Sequence, residues 1–283
     1  MTRLEVQLSA GPVEYEDTGG GGPVVVLLHG LLMDASLWTE VSADLSADHR
    51  CVAPTLPLGA HRKGMRPDAD LSLPGIARLV VELLDRLDLQ AVTLVGNDTG
   101  GAIVQLVAGS SPRVARVVLA SCEAFENFPA RVTGTTLALA GRLSPRLFGL
   151  FMQQMRLRPL RRLPLAFGWL TKRGDATTAG WIAPVLHQPE IRRDAVRVLR
   201  ANRAHPRVMA DAAAALAEVD HPALVVWAGE DRVMPREHGR RLANAYRNGR
   251  LVEVADSYTL IPLDQPARFA QLIREFSRGA EPS

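Results

Sequence analysis

The chain has 283 residues, 47% of them hydrophobic, and a formal net charge of +3. That length suits one α/β domain carrying an insertion, with enough apolar content for a large core. No apolar run reaches the roughly 20 residues needed to span a bilayer, and the start, MTRLEVQLSAG, has no apolar signal-peptide core, so neither membrane embedding nor export is expected. The two cysteines, Cys51 and Cys122, make no disulfide framework and no metal-ligand pattern, which fits a reducing, cytoplasmic setting.

In chain order, residues 3–9 and 12–16 read as strands joined at Ala10-Gly11, and the glycines at 19–22 as a loop. Residues 23–29 (PVVVLLH) form a near-continuous apolar run, as in a strand covered on both faces. A helix is expected over 35–46 with Asp34 as N-cap, then a strand at 51–53 and a long loop over 54–70. Pro74 opens a helix over 74–88 with apolar residues at helical spacing, followed by strands at 91–95 and 114–120. Residues 124–207 break this alternation, with short helical pieces punctuated by proline and glycine; after Ser144-Pro145, Leu147, Phe151 and Met155 share one helix face. From 208 the alternation returns, with helices over 208–218, 235–247 and 266–276 and strands at 223–228 and 250–254. The expected architecture is α/β: a mostly parallel eight-stranded sheet flanked by helices, its core built from 1–123 and 208–283 and a helical cap from 124–207.

Charge divides along the same line. Residues 131–207 hold fifteen Arg and Lys against three Asp and Glu, a balance of +12, so the rest of the chain carries −9. A solvated basic face attracted to an acidic core accounts for this, and an anionic substrate or acidic carrier is the sharper alternative. Nucleic acid is not indicated, because arginines and aromatic residues are not interleaved as stacking platforms.

Chemistry concentrates at Gly96-Asn97-Asp98-Thr99-Gly100-Gly101, which follows the apolar run at 91–95 and precedes helix-forming residues. Glycines two before and two after Asp98 allow a sharp strand-to-helix turn that exposes the central side chain at a helix N-terminus. Alone, this motif equals an ordinary βα turn. It gains meaning with His29-Gly30 after the third strand, Gly229-x-Asp231 and Pro235 after a later one, and Asp264-Gln265-Pro266 at the last helix. Together these resemble the α/β-hydrolase fold over nearly the whole chain, and aspartate at the elbow resembles the branch holding haloalkane dehalogenases and epoxide hydrolases.

That resemblance implies Asp98 as nucleophile, ionised at neutral pH and forming an alkyl ester with an electrophilic carbon. It implies an oxyanion hole made by the backbone N–H groups of Leu31 and Thr99, and an orienting carboxylate at Asp231 or Glu123. Thr259 falls where the family places its catalytic histidine, and a threonine hydroxyl cannot take a proton from water near pH 7. His61, after the fourth strand, is the candidate substitute base, with a solvated loop histidine as the plain alternative, whereas His29 is structural in this fold and also a candidate substrate contact. Other expected pocket contributors are Phe125, Phe128, Phe151, Met155, Trp169, Trp181 and His187. Neither metal nor cofactor is expected. The expected partner is a small-molecule substrate, anionic or carrier-bound if the basic charge serves recognition, with no nucleic acid and no membrane, on a monomer or homodimer. Three functions stay open: hydrolysis of an epoxide, halide, lactone or ester at Asp98; a lyase, isomerase or cyclase using Asp98 as general acid or base; and a ligand-binding pseudo-enzyme.

Overall fold

In the computed structural model, the described residues are 1–130, 136 and 139–279, apart from the side chain of Leu165. Residues 131–135, 137 and 138 of the expected cap lie outside them.

Eight strands form one sheet: β1 (Thr2–Leu8), β2 (Gly11–Asp17), β3 (Val24–Leu28), β4 (Arg50–Pro54), β5 (Val92–Asp98), β6 (Val114–Cys122), β7 (Ala223–Ala228) and β8 (Gly249–Val254). Their order is β1-β2-β4-β3-β5-β6-β7-β8. The β1–β2 and β2–β4 pairs are antiparallel, and all the others are parallel. Parallel strands buried on both faces read as unbroken apolar runs, and alternate side chains serve opposite layers. Accordingly Val26, Leu28, Leu94 and Val117 join one core with helices α2 (Leu73–Arg86) and α3 (Thr99–Val107). Val25, Leu27, Val95 and Val118 join the other, with Trp38, Val41 and Phe269. The expected helix over 35–46 is divided into a 3₁₀ turn, Ala35–Trp38, capped by Asp34, and α1 (Thr39–Leu45).

Between β6 and β7 the described residues form helices and turns without a strand. The main ones are α4 (Pro145–Gln153), α5 (Asp175–Trp181), α6 (Ala183–His187), α7 (Pro189–Ala204) and α8 (Val208–Ala215). Helices α9 (Arg236–Ala245) and α10 (Pro266–Arg278) complete the core. Polar contacts hold the insertion down. The Lys172 ammonium reaches Glu230 at 2.6 Å and Asp256 at 2.8 Å, and Arg173 reaches Asp256 at 2.7 Å. The Thr171 hydroxyl donates to buried Asp264 at 2.7 Å. Part of the charge division is thus spent on basic-to-acidic pairs across this boundary. Among the described residues no helix is long and apolar enough to cross a membrane.

Candidate active site

β5 runs into α3 through Asp98, whose φ of 56° and ψ of −128° lie outside the strand and helix regions. Such a conformation costs a non-glycine residue about 1–3 kcal/mol and persists only where its surroundings hold it. Two glycines do so by close approach: a Cβ on Gly100 would strike the Leu28 carbonyl, and one on Gly30 would overlap the Asp98 carboxyl group. The Asp98 side chain is buried and accepts hydrogen bonds from the backbone N–H groups of Thr99 and Leu31. The two donors expected to form the oxyanion hole therefore converge on Asp98 itself.

Asp98 was expected to be ionised at neutral pH, and burial opposes this while two backbone donors favour it. Loss of solvent, followed by repulsion from Glu123, raises its carboxyl well above the ordinary carboxylate range, with Asp231 adding to the effect. The Thr99 and Leu31 N–H groups pull in the opposite direction. Glu123 follows β6 and is also buried: its Oε2 lies 2.9 Å from the Thr99 hydroxyl, and its Oε1 accepts the Ala130 N–H at 3.0 Å. Burial pushes its carboxyl up to about 7 against those two hydrogen bonds. Thr99 thus touches both acids, through its N–H to Asp98 and its hydroxyl to Glu123.

Asp231 follows β7. Its Oδ1 accepts the N–H groups of Val233 and Met234 at 2.9 and 2.7 Å, and the Thr259 hydroxyl at 2.8 Å. Burial raises its carboxyl despite these donors. Thr259 is fully buried, and its carbonyl accepts the Asn97 amide at 2.8 Å, which ties the segment to the residue before Asp98. The structure brings the three acids and Thr259 together, and among the described residues no imidazole joins them.

A cavity of about 120 Å³ opens at Asp98, Thr99 and Glu123. Its wall includes Leu31, Leu32, Phe151, Met152, Met155, Phe167 and Leu170, and no Lys, Arg or His is among the described lining residues. Of the expected contributors, Phe151 and Met155 line it. Leu147, expected on the same face, is instead 52% exposed, while Phe148, Gly149 and Met152 are the buried residues of α4. Trp181 packs behind the wall, with its ring centroid 5.7 Å from that of Phe167 and its N–H donating to Ser36 at 2.8 Å. Phe128 is buried in the core, Trp169 packs against it, and Phe125 lies under the Arg241 guanidinium. Met152, Phe167 and Leu170 were missed; only the 148/152/155 spacing along α4 and the turn after it carried a signal for the first of them.

The histidines lie elsewhere. The His29 Nδ1–H donates to the Gly30 carbonyl at 2.8 Å, and its Nε2 accepts the Leu56 N–H at 2.8 Å. Burial drops its pKa to about 4, so it is a neutral prop rather than a substrate contact. His61 does not line the cavity: its Nε2 is 3.5 Å from Asp194 on α7, and its Nδ1 accepts the Gly59 N–H at 3.3 Å. His187 is exposed, 3.3 Å from the Arg156 guanidinium. Among the described residues no group of three or more His, Cys, Asp or Glu is arranged to hold a metal ion.

Comparison with known proteins agrees with this architecture. A 2-hydroxy-6-oxononadienedioate/2-hydroxy-6-oxononatrienedioate hydrolase of Burkholderia vietnamiensis is 27% identical, over 94% of this chain and 91% of its own. A haloalkane dehalogenase of Mesorhizobium japonicum is 30% identical over 39% of this chain and 35% of its own. The solved structure of a thermophilic esterase from Thermogutta terrifontis covers 99% of both chains with a TM-score of 0.74 at 21% identity, a likeness of fold. The model of the alpha/beta hydrolase family matches residues 25–272, and the chain belongs to that family.

Proposed function

We propose that this protein is a hydrolase that uses Asp98 as a nucleophile on a small, neutral, mostly apolar electrophile, with epoxides and halides first and lactones and esters next. One observation carries the reading: the Asp98 carboxyl sits on a strained bend, is held by the N–H groups of Leu31 and Thr99, and opens into an apolar cavity. Attack by a carboxylate on the saturated carbon of an epoxide or halide needs no base and leaves an ester, and attack on a lactone or ester carbonyl leaves a mixed anhydride. When water adds to that ester, the same two N–H groups lie beside the atom on which negative charge develops. Helix α4 and the residues up to Leu170 act as a lid that keeps water out and strengthens electrostatic effects at Asp98.

Cavity size and charge narrow the substrate. A volume of about 120 Å³ is near that of an apolar cavity of ~150 Å³ that binds benzene. Two buried carboxyls, with no cation among the described lining residues, repel an anion, so a dicarboxylate such as the Burkholderia relative's name describes is a poor fit. The basic charge of the insertion then serves its surface and its contacts with the core rather than substrate binding.

A second reading has Asp98 shuttle a proton in a non-hydrolytic reaction, and it draws on the raised Asp98 carboxyl. A single turnover with excess enzyme in H₂¹⁸O, using 1,2-epoxybutane, 1-bromobutane and γ-butyrolactone in turn, separates the two. Heavy oxygen appearing in the Asp98 side chain supports the nucleophile. Turnover of the epoxide or halide that leaves Asp98 unlabelled supports the proton shuttle, and binding without turnover supports a ligand receptor.

A further inference from the structure

Among the described residues, no histidine or arginine of the insertion lines the cavity, and His29 and His61 are engaged elsewhere, yet hydrolysis of an Asp98 ester requires proton transfer. One titratable side chain besides Asp98 is among the described lining residues, and that is Glu123. We propose that Glu123 is the acid–base partner of Asp98, giving a proton to the leaving oxygen as Asp98 attacks and taking one from the water that releases the product. This inference rests on the nucleophilic reading of Asp98.

The geometry fits an exchange of one proton between two acids. Asp98 and Glu123 line one apolar cavity and repel each other, so both do not ionise readily and the pair retains a proton that an isolated carboxyl would lose. The donors assign it. Backbone N–H groups only donate, and two of them converge on Asp98, so Asp98 is the better place for the negative charge. Glu123 faces the Thr99 hydroxyl at 2.9 Å, and a hydroxyl both donates and accepts. Glu123 therefore keeps its partner whether protonated or ionised, which a general acid–base residue needs. Its carboxyl, raised by burial to about 7, lies where both forms are populated in neutral water. The other acidic groups around it are Asp98 on β5, Asp231 after β7 and Cys122, its neighbour on β6.

For an epoxide the steps balance as follows. An Asp98 carboxylate oxygen bonds to a ring carbon and the carbon–oxygen bond of the ring breaks. The freed oxygen takes the proton of Glu123, which leaves a neutral ester and an ionised Glu123. Glu123 then takes a proton from water as the water oxygen bonds to Cγ of Asp98, and the Leu31 and Thr99 N–H groups hold the resulting oxyanion. Collapse breaks the ester bond to the substrate oxygen, which recovers the proton from Glu123 and departs as a diol. The remaining proton, left on Asp98, passes back to Glu123. The sum is epoxide plus water giving diol.

The test uses the whole protein with 1,2-epoxybutane, followed by intact mass and by turnover across pH. Glu123→Gln keeps an acceptor for the Ala130 N–H, and the expected result is an Asp98 ester at least tenfold longer-lived than in the wild type. The neutral ionisation in the pH–rate profile should disappear with it, an effect that loss of packing alone does not produce. Thr99→Val retains the backbone donor to Asp98 but removes the hydroxyl, and should move that ionisation upward; it carries the test if thermal melting shows Glu123→Gln to be unfolded. Unchanged ester lifetime and pH profile in these variants, with an ester still forming at Asp98, overturn the role of Glu123 and leave the nucleophile standing. No ester in wild type or Glu123→Gln overturns both. An infrared titration needs no substrate: a protonated carboxyl band at pH 6 that is lost in Glu123→Gln supports the proposal, and ionisation of Glu123 in the ordinary carboxylate range overturns it.

Discussion

The Thr259 hydroxyl donates to Asp231 at 2.8 Å, filling with a neutral side chain the partner position that the α/β-hydrolase resemblance gives to histidine. Asp231 Oδ1 is thereby satisfied, whereas its Oδ2 is buried without a hydrogen-bond partner among the described residues. A Thr259→His substitution should restore a proton-accepting group, because the Asp231 carboxylate can accept from an imidazole N–H as it now accepts from the hydroxyl. The expected outcome is hydrolysis of an Asp98 alkyl ester at least tenfold faster, read by loss of the mass adduct. Thr259 is fully buried, so the larger ring should also cost about 1–3 kcal/mol of stability. An unchanged adduct lifetime in a folded variant means that Asp231 does not orient a base here.

His61 has a different task. It joins the loop after β4 to α7 through Asp194, which is fully buried and also accepts the Met65 N–H at 2.7 Å and the Arg197 guanidinium at 3.0 Å. Removing one partner of a buried carboxylate costs about 1–3 kcal/mol. His61→Ala should therefore lower the melting temperature while leaving the pH profile of any turnover unchanged. Loss of an ionisation from that profile would instead make His61 a base.

The contrast between Asp98 and His61 shows what a sequence can carry. The elbow is local: five residues with glycine at both ends specify a turn, and a β-branched run specifies the buried strand before it. Glu123 and Asp231 were legible because the first directly follows β6 and the second lies in the turn after β7, and strand ends share one edge of the sheet. The His61–Asp194 pair depends on where a distant helix of the insertion comes to rest, and nothing near either residue announces it. The cavity wall was only partly legible for the same reason, since short helices separated by prolines have no long period to reveal which face turns inward. The ionisation of Asp98 was hidden because it depends on burial and on two acids brought in from other strands.

Glu123 makes stability depend on pH in a stated direction. Its carboxyl lies at about 7 in the folded protein against 4.5 for an ordinary glutamate, so the folded state holds the proton that the unfolded chain gives up. The stabilisation is complete below 4.5 and is lost as pH rises toward 7. Linkage sets the loss at roughly 3 kcal/mol. His29, held neutral with a pKa of about 4, acts with the opposite sign in an overlapping range, so the comparison must be between variants. Urea unfolding of Glu123→Gln and wild type at pH 4.5, 6 and 7.5 should show the variant gaining on the wild type at each step. A difference that stays constant with pH contradicts the assigned ionisation.

Phe151 and Trp181 separate the wall of the cavity from its support. Phe151 is half-buried and lines the space, so Phe151→Ala should lengthen it at a cost of about 1–2 kcal/mol, less than for a fully buried ring. KM for 1,2-epoxyhexane should then fall about tenfold and that for 1,2-epoxybutane should rise. Trp181 is fully buried behind Phe167, and its indole N–H donates to Ser36 at 2.8 Å without reaching the cavity. Trp181→Phe removes that hydrogen bond, and should cost about 1 kcal/mol while leaving the preference for chain length as it was. If Phe151→Ala leaves the chain-length preference unchanged while Trp181→Phe alters it, the substrate does not lie against α4, and the lid must be sought along the path from Phe167 to Leu170.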